Sequence, residues 1–263
     1  MKITLGCDPE MFLISQDGKL KSSVGLIGGS KFAPMPLTDL GEGYFVQEDN
    51  VAVEFNIPPA QARQDFVESI TKTLNFLTEN VGRAYGLSMA NIASASFPEE
   101  ELQTPASQEF GCDLDYNAWT GRKNARPKAT DGNLRSCGGH IHVGIDKSKL
   151  SILEGVRKMD LFLGVPSLFM DKDEKRRALY GKAGAHRDKP FGFEYRTLSN
   201  FWIFNPKLIE WAWNNTERAI SAAEEQLAVS DEDNALIVEA INTNNKQMAE
   251  HLIKKFNLEV LSV

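Results

Sequence analysis

Alternation of polar and apolar residues at period two recurs in three short segments, and it constrains the fold more than any other feature of the chain. In residues 136–145, His140 and His142 alternate with Ile141 and Val143, so both imidazoles point to one face of a strand. In residues 192–196, Glu194 and Arg196 share a face in the same way. In residues 47–56, Glu48, Asn50, Glu54 and Asn56 have one parity, so an uninterrupted strand places all four together; a turn before Val51 is the alternative.

The remaining elements follow from composition and spacing. Residues 3–14 mix β-branched and apolar side chains around Asp8-Pro9-Glu10 and read as a strand interrupted or bulged at Pro9. Residues 25–43 are rich in Gly and Pro and read as loop with short strands, and a strand over 50–57 stops at Pro58-Pro59. Phe66, Ile70, Leu74, Leu77, Val81 and Tyr85 recur at spacings of three and four, which predicts a helix ending near Gly86. A strand over 88–96 precedes a long irregular stretch, 97–134. The pattern then predicts a helix over 150–170 broken near Gly164-Val165-Pro166, a strand over 191–199, and helices over 206–228 and 231–256, the last capped by Ser230.

No low-complexity linker divides the 263 residues, so the reading is a single domain over 1–263, with a core of 1–205 and a helical C-terminal part, 206–263. The strands are spaced too irregularly for a doubly wound parallel sheet, and the expected class is α+β. A formal net charge of −7 argues against a nucleic-acid partner. No run approaches the roughly 18 apolar residues of a membrane span, and the N-terminus lacks a signal-peptide pattern, so the expected compartment is the cytoplasm. The three cysteines, Cys7, Cys112 and Cys137, have no CxxC spacing and read as reduced buried thiols, with Cys137 as a nucleophile beside His140 the weaker alternative.

Several carboxylates, two histidines and an arginine on half-polar strands suit Mg²⁺ or Mn²⁺ holding polyphosphate, whereas zinc calls for more nitrogen and sulfur. The Glu194–Arg196 pair reads equally as a surface salt bridge or as a metal carboxylate beside a phosphate-binding guanidinium. No GxxxxGK[ST] pattern is present, so ATP would have to be bound by metals and sheet side chains. The basic segment 176–190 reads as a solvated linker or as a mobile phosphate clamp with Arg177, Lys182 and Arg187 as contacts.

Taken in order, GCDPE (6–10), DNVAVEFNIPPA (49–60), FGCDLDYNAW (110–119), GGHIHVG (138–144), LYGKAG (179–184) and FGFEYRTLSNFW (191–202) resemble the phage-type carboxylate-amine ligases, type 2, of the glutamine synthetase and glutamate-cysteine ligase superfamily. The similarity covers roughly residues 1–205. It implies a curved antiparallel sheet carrying the active site, with helices on its outer face. It implies metal ligands at Asp8, Glu10, Glu48 (or Asp49), Glu54, His140 and Glu194, a nucleotide-phosphate contact at His142, and Arg196 on the transferred phosphate, to which the clamp reading of the basic segment adds Arg177, Lys182 and Arg187. The implied reaction activates a carboxylate with ATP as an acyl phosphate, which an amine then displaces, on amino-acid or peptide substrates in the host cytoplasm if the protein is phage-encoded. Glu109 and Asp113 fall in the same motif set without an assigned role. A metal-dependent hydrolase and a non-catalytic nucleotide- or peptide-binding module are the competing expectations, and an oligomer through the last two helices is left open.

Overall fold

The computed structural model describes residues 2–108, 115–125 and 131–262. Among them, eleven strands form one open antiparallel sheet. Six strands carry the polar face of interest: β1 (Thr4–Ser15), β2 (Phe45–Asp49), β3 (Ala52–Asn56), β4 (Gly139–Gly144), β5 (Ala185–Lys189) and β6 (Gly192–Tyr195). They lie side by side in the order β2-β3-β1-β4-β6-β5, each antiparallel to its neighbours.

β1 runs through Pro9 without the interruption that the proline suggested. Glu10 donates its N–H to the Gly138 carbonyl at 2.9 Å, so by alternation the donor missing at Pro9 faces the other edge, where β3 begins to pair only at Glu10. The same alternation sorts the side chains. Leu5, Cys7, Met11 and Leu13 join Val53, Phe55, Ile141, Val143, Phe193 and Tyr195 in the main core, while Asp8 and Glu10 point the other way.

Helices cover the apolar face. They are α1 (Arg63–Tyr85), α2 (Ile152–Met159), α3 (Val165–Met170), α5 (Pro206–Glu224), α6 (Asp231–Thr243) and α7 (Lys246–Phe256), whereas the short α4 (Glu174–Leu179) borders the polar face. α1 buries Phe66, Ile70, Leu77 and Val81, and Gly86 ends it in the left-handed region at φ 66°. Phe66 stacks on Trp202 with ring centroids 6.0 Å apart; its truncation to alanine would cost roughly 3–5 kcal/mol. Tyr85, expected on the same stripe, is exposed and donates its hydroxyl to the Leu26 carbonyl at 2.7 Å.

Two helical expectations change. The break expected near Gly164 is a π turn, Asp160–Gly164, in which the Val165 N–H reaches back five residues to the Asp160 carbonyl, so α2 runs on into α3. The helix expected over 231–256 divides because Asn244 turns left-handed (φ 52°) and the Asn245 side chain accepts from the Met248 N–H at 3.1 Å, which caps α7. A smaller core of Phe12, Val51, Ala52, Ala90, Phe97, Leu102 and Cys137 closes one end of the polar face. Among the described residues, no helix is long and apolar enough to cross a membrane.

Candidate active site

Three adjacent strands meet at the first cluster. Asp8 on β1 lies opposite His140 on β4, and His142 on β4 lies opposite Glu194 on β6, all with one parity. His140 Nδ1 is 3.3 Å from Asp8 Oδ1 and 3.6 Å from Glu194 Oε1, while His142 Nε2 is 3.1 Å from Asp8 Oδ2. Asp8, His140 and Glu194 each offer one ligand atom, and these atoms lie within 4.8 Å of one another. Two ligands 2.1–2.4 Å from one hard cation can be no more than about 4.2–4.8 Å apart, so the spacing admits an ion.

Charge in this cluster is balanced by the protein itself. Burial would raise the Asp8 carboxyl, but His142 and His140 beside it hold it well below the usual range. Burial likewise opposes ionisation of Glu194, yet the Arg196 guanidinium in contact with it and nearby His140 bring it down to about 2. His140 is pushed down to about 4 by burial and by Arg196, so at neutral pH it is the uncharged imidazole that a metal requires, with Nδ1 3.2 Å from Arg196 Nη1. Asp8 raises His142 against the effect of burial.

The second cluster sits one strand over. Glu10 on β1 faces Glu54 on β3, and Asp49 at the end of β2 completes a triad whose ligand atoms also lie within 4.8 Å. Asn50, at φ 59°, turns the chain between β2 and β3, so that Gln47 is opposite Glu54 and Asp49 is opposite Ala52. This hairpin puts Gln47 and Asp49 on the face of Glu54 and turns Glu48 away. Glu48 is therefore not part of the cluster expected of it: its Oε1 accepts the N–H groups of Gly25, Ile27 and Gly28 at 2.9, 3.1 and 2.8 Å and shapes the loop there. The shared parity of Glu48 and Glu54 held only for a strand without a turn.

In the second triad Glu10 accepts the Gly138 N–H (2.7 Å) and Glu54 accepts the Gln47 amide (3.0 Å). Burial, with Asp49 nearby, pushes Glu10 up to about 7, and burial with Asp8, Asp49 and Glu10 raises Glu54 well above its ordinary value. Asp49 is raised too, chiefly by burial. Three carboxylates that resist joint ionisation, Asp49 half-buried and the two glutamates buried, form an all-oxygen donor set suited to a hard divalent ion. A cavity of about 70 Å³, room for a few waters, opens beside them and is lined by Glu10, Asp49, His140, Arg176 and Arg196 among others.

Basic side chains wall the first cluster. Arg187 on β5 lies opposite Glu194 with Nη1 3.8 Å from Oε1, and Lys189, two residues on and thus on the same face, places Nζ 2.8 Å from Glu194 Oε2. Asp115 Oδ2 is 3.5 Å from Arg196 Nε. The other two basic residues expected here lie elsewhere. Arg177 is buried against Ser167 Oγ (3.1 Å) and Asp171 (3.3 Å), because on α4 it is Arg176, about 100° around the helix, that turns toward the cavity. Lys182 reaches the Asn242 carbonyl at the end of α6, 3.3 Å away. The segment read as a solvated linker or a mobile clamp forms α4, a turn and β5.

Spacing identified His140, His142, Glu194 and Arg196 as neighbours but missed Lys189, Asp115 and Arg176. The i, i+2 relation of Arg187 and Lys189 was available as a signal; Asp115 and Arg176 come to the site through long-range packing. Cys137 is fully buried in the smaller core and its thiol is raised well above the ordinary value by burial, which argues against it as a nucleophile with His140 as its base. Glu109 and Asp113 lie outside the described residues.

Among curated proteins, none matches the chain. One family of carboxylate–amine ligases does match, over residues 131–262, a span that takes in β4, β5 and β6 with His140, His142, Arg187, Glu194 and Arg196, and runs on through the C-terminal helices; β1 to β3 precede it. The match covers just over half of the chain, and the protein belongs to this family, the phage phiEco32-like COOH.NH2 ligases of type 2.

Proposed function

We propose that the protein joins a carboxylate to an amine at the expense of ATP, on amino-acid or peptide substrates. The observation that carries this reading is the pair of carboxylate-rich triads on adjacent strands, with Arg187, Lys189 and Arg196 gathered around Glu194. Asp8, His140 and Glu194 would hold one Mg²⁺ or Mn²⁺, and Glu10, Asp49 and Glu54 a second. Such ions, when bound, neutralise phosphate oxygens and draw charge from the transferring group.

The chain's own residues supply position and charge. Arg196, forked and desolvated, suits the transferred phosphoryl group, and its contact with Glu194 and Asp115 sets its direction. Arg187, Lys189 and His142, raised toward its cationic form by Asp8, suit the remaining phosphate oxygens. The acid substrate's carboxylate attacks the γ-phosphate to give an acyl phosphate, and the amine displaces phosphate to leave the amide. No covalent nucleophile of the protein is needed, in keeping with the buried Cys137, and orientation with charge neutralisation supplies the rate.

The test is ADP release by the purified protein with Mg²⁺ or Mn²⁺ across a panel of amino acids and peptides offered with amines. The expected result is turnover that requires metal, acid and amine together and disappears in Glu194→Ala. ATP-independent hydrolysis that survives this substitution would sink the ligase reading.

A further inference from the structure

Directly behind the charged face, on the helix side of β6, one carboxylate gathers four donors. Asp160, fully buried at the start of the π turn, accepts from Tyr195 Oη (2.8 Å), Thr197 Oγ1 (3.1 Å), Trp119 Nε1 (2.6 Å) and the Gly184 N–H (2.6 Å). All four are neutral donors. A buried carboxylate is expensive, and a network of this kind persists only when every member is satisfied. Filling the same space with apolar side chains would be the simpler way to build a core.

Each donor belongs to a segment that shapes the surroundings of Arg196. Tyr195 and Thr197 flank Arg196 in the chain and point to the opposite face. Gly184, at φ 77°, leads into β5 with Arg187 and Lys189, and Arg196 donates its own N–H to the Ala185 carbonyl at 2.9 Å. Trp119 closes the segment that begins at Asp115, the partner of Arg196 Nε, and Ala118 in that segment donates to the Gly184 carbonyl at 2.9 Å. The π turn carries Asp160 into this position, and Gly164 leaves room for the contact: a Cβ there would meet Tyr195 Oη at 3.0 Å. π turns are rare and cluster at functional sites.

We infer that Asp160 is a positioning residue that sets, from behind the sheet, the guanidinium of Arg196 and the approach of β5 to Glu194. Its functional consequence rests on the phosphate role proposed for Arg196. Asp160→Asn keeps the shape but replaces one acceptor oxygen with a donor. Three quantities are compared with the wild type: Mn²⁺ affinity, the affinity of the Mn²⁺-loaded protein for inorganic tripolyphosphate, and ATP turnover. The expected result is Mn²⁺ affinity within about twofold, tripolyphosphate binding weaker by about tenfold or more, kcat lower by about tenfold with KM for the acid little changed, and a shifted Trp119 indole N–H resonance. A variant that loses only thermal stability, with tripolyphosphate affinity and kcat as in the wild type, overturns the inference.

Failure of the ligase reading is recognised separately, as a wild-type protein that turns over no ATP with any acid and amine. A crystal structure of Asp160→Asn then decides: Arg196 displaced from Glu194 and Asp115 supports the inference, and Arg196 in place overturns it. Should Asp160→Asn fail to fold, Thr197→Val, which removes one donor and leaves the carboxylate, is read by the same binding assay. A loss of tripolyphosphate affinity of roughly two- to fivefold supports the inference, and no loss overturns it.

Discussion

The two carboxylate triads stand one strand apart and solve the same electrostatic problem in opposite ways. Asp8, His140 and Glu194 are balanced by Arg196, Lys189 and His142, so Asp8 and Glu194 ionise readily and titrate far below neutrality. Around Glu10, Asp49 and Glu54 burial and mutual repulsion outweigh the pull of nearby Arg196 and Arg176, and all three are raised, Glu10 to about 7. Proximity of carboxylates therefore does not set their behaviour; the cations packed around them do. The first triad is arranged for a charged group with guanidinium and ammonium contacts beside it, whereas the second is left with a deficit that a bound divalent ion would fill.

The comparison is most sharply broken at Arg196. Arg196→Ala is expected to lower ATP turnover by about 10²–10³-fold, the cost of losing one preorganised donor, and to raise the Glu194 carboxyl, while Mn²⁺ binding persists. Steady-state kinetics with a metal titration check this. Turnover retained in that variant would place the transferring phosphate elsewhere.

Next in size is the pH dependence of stability. Glu10 ordinarily titrates near 4.5 and is raised to about 7 in the fold, so folding favours its neutral form. The stability this lends is fully present below about pH 4.5 and is lost as pH rises through 7, on the order of 3 kcal/mol in the metal-free protein. Glu194, lowered to about 2, contributes in the other direction: its share is present above about pH 4.5 and lost as pH falls through 2. Mg²⁺ should accordingly stabilise the protein more at pH 8 than at pH 5, because protons compete for the second triad while the carboxylates of the first stay ionised at both. Denaturant unfolding with and without Mg²⁺ at the two pH values is the measurement, and equal stabilisation at both would remove the second triad as the metal site.

Smaller effects separate residues that are adjacent in sequence. Asp49→Ala should weaken Mn²⁺ binding by at least about tenfold, while Glu48→Ala should leave it within about twofold and instead cost roughly 1–3 kcal/mol through three lost backbone contacts. Calorimetry with Mn²⁺ and a melting curve read both. Lys182→Ala is expected to change stability by less than about 1 kcal/mol and to leave KM for ATP unaltered, since its ammonium turns to the Asn242 carbonyl at the end of α6.

How far the site could be read in advance depends on how local its geometry is. Side chains two apart on one strand share a face whatever surrounds them, so His140 with His142 and Glu194 with Arg196 were legible from spacing. Glu48 and Asp49 were not, because a turn at Asn50 inverts which of them faces Glu54, and the left-handed conformation of one asparagine decides it. Arg176 and Arg177 point about 100° apart on α4, and a short helix with charges on two sides does not declare which side meets the cavity. Asp160 is least legible of all, since a single acid in an apolar helix acquires meaning only when Trp119, Gly184, Tyr195 and Thr197 converge on it.

By itself the sequence determined the α+β class, the apolar and polar faces of the strands that carry the site, and the likeness to carboxylate–amine ligases, because period and order are properties of the chain. Only the tertiary structure decided that the carboxylates form two triads, that Asp49 replaces Glu48, and that Lys189 and Arg176 replace Lys182 and Arg177 at the site. Charge balance and the direction of a long side chain are set by neighbours far apart in sequence, and strand register together with helix orientation brings those neighbours together.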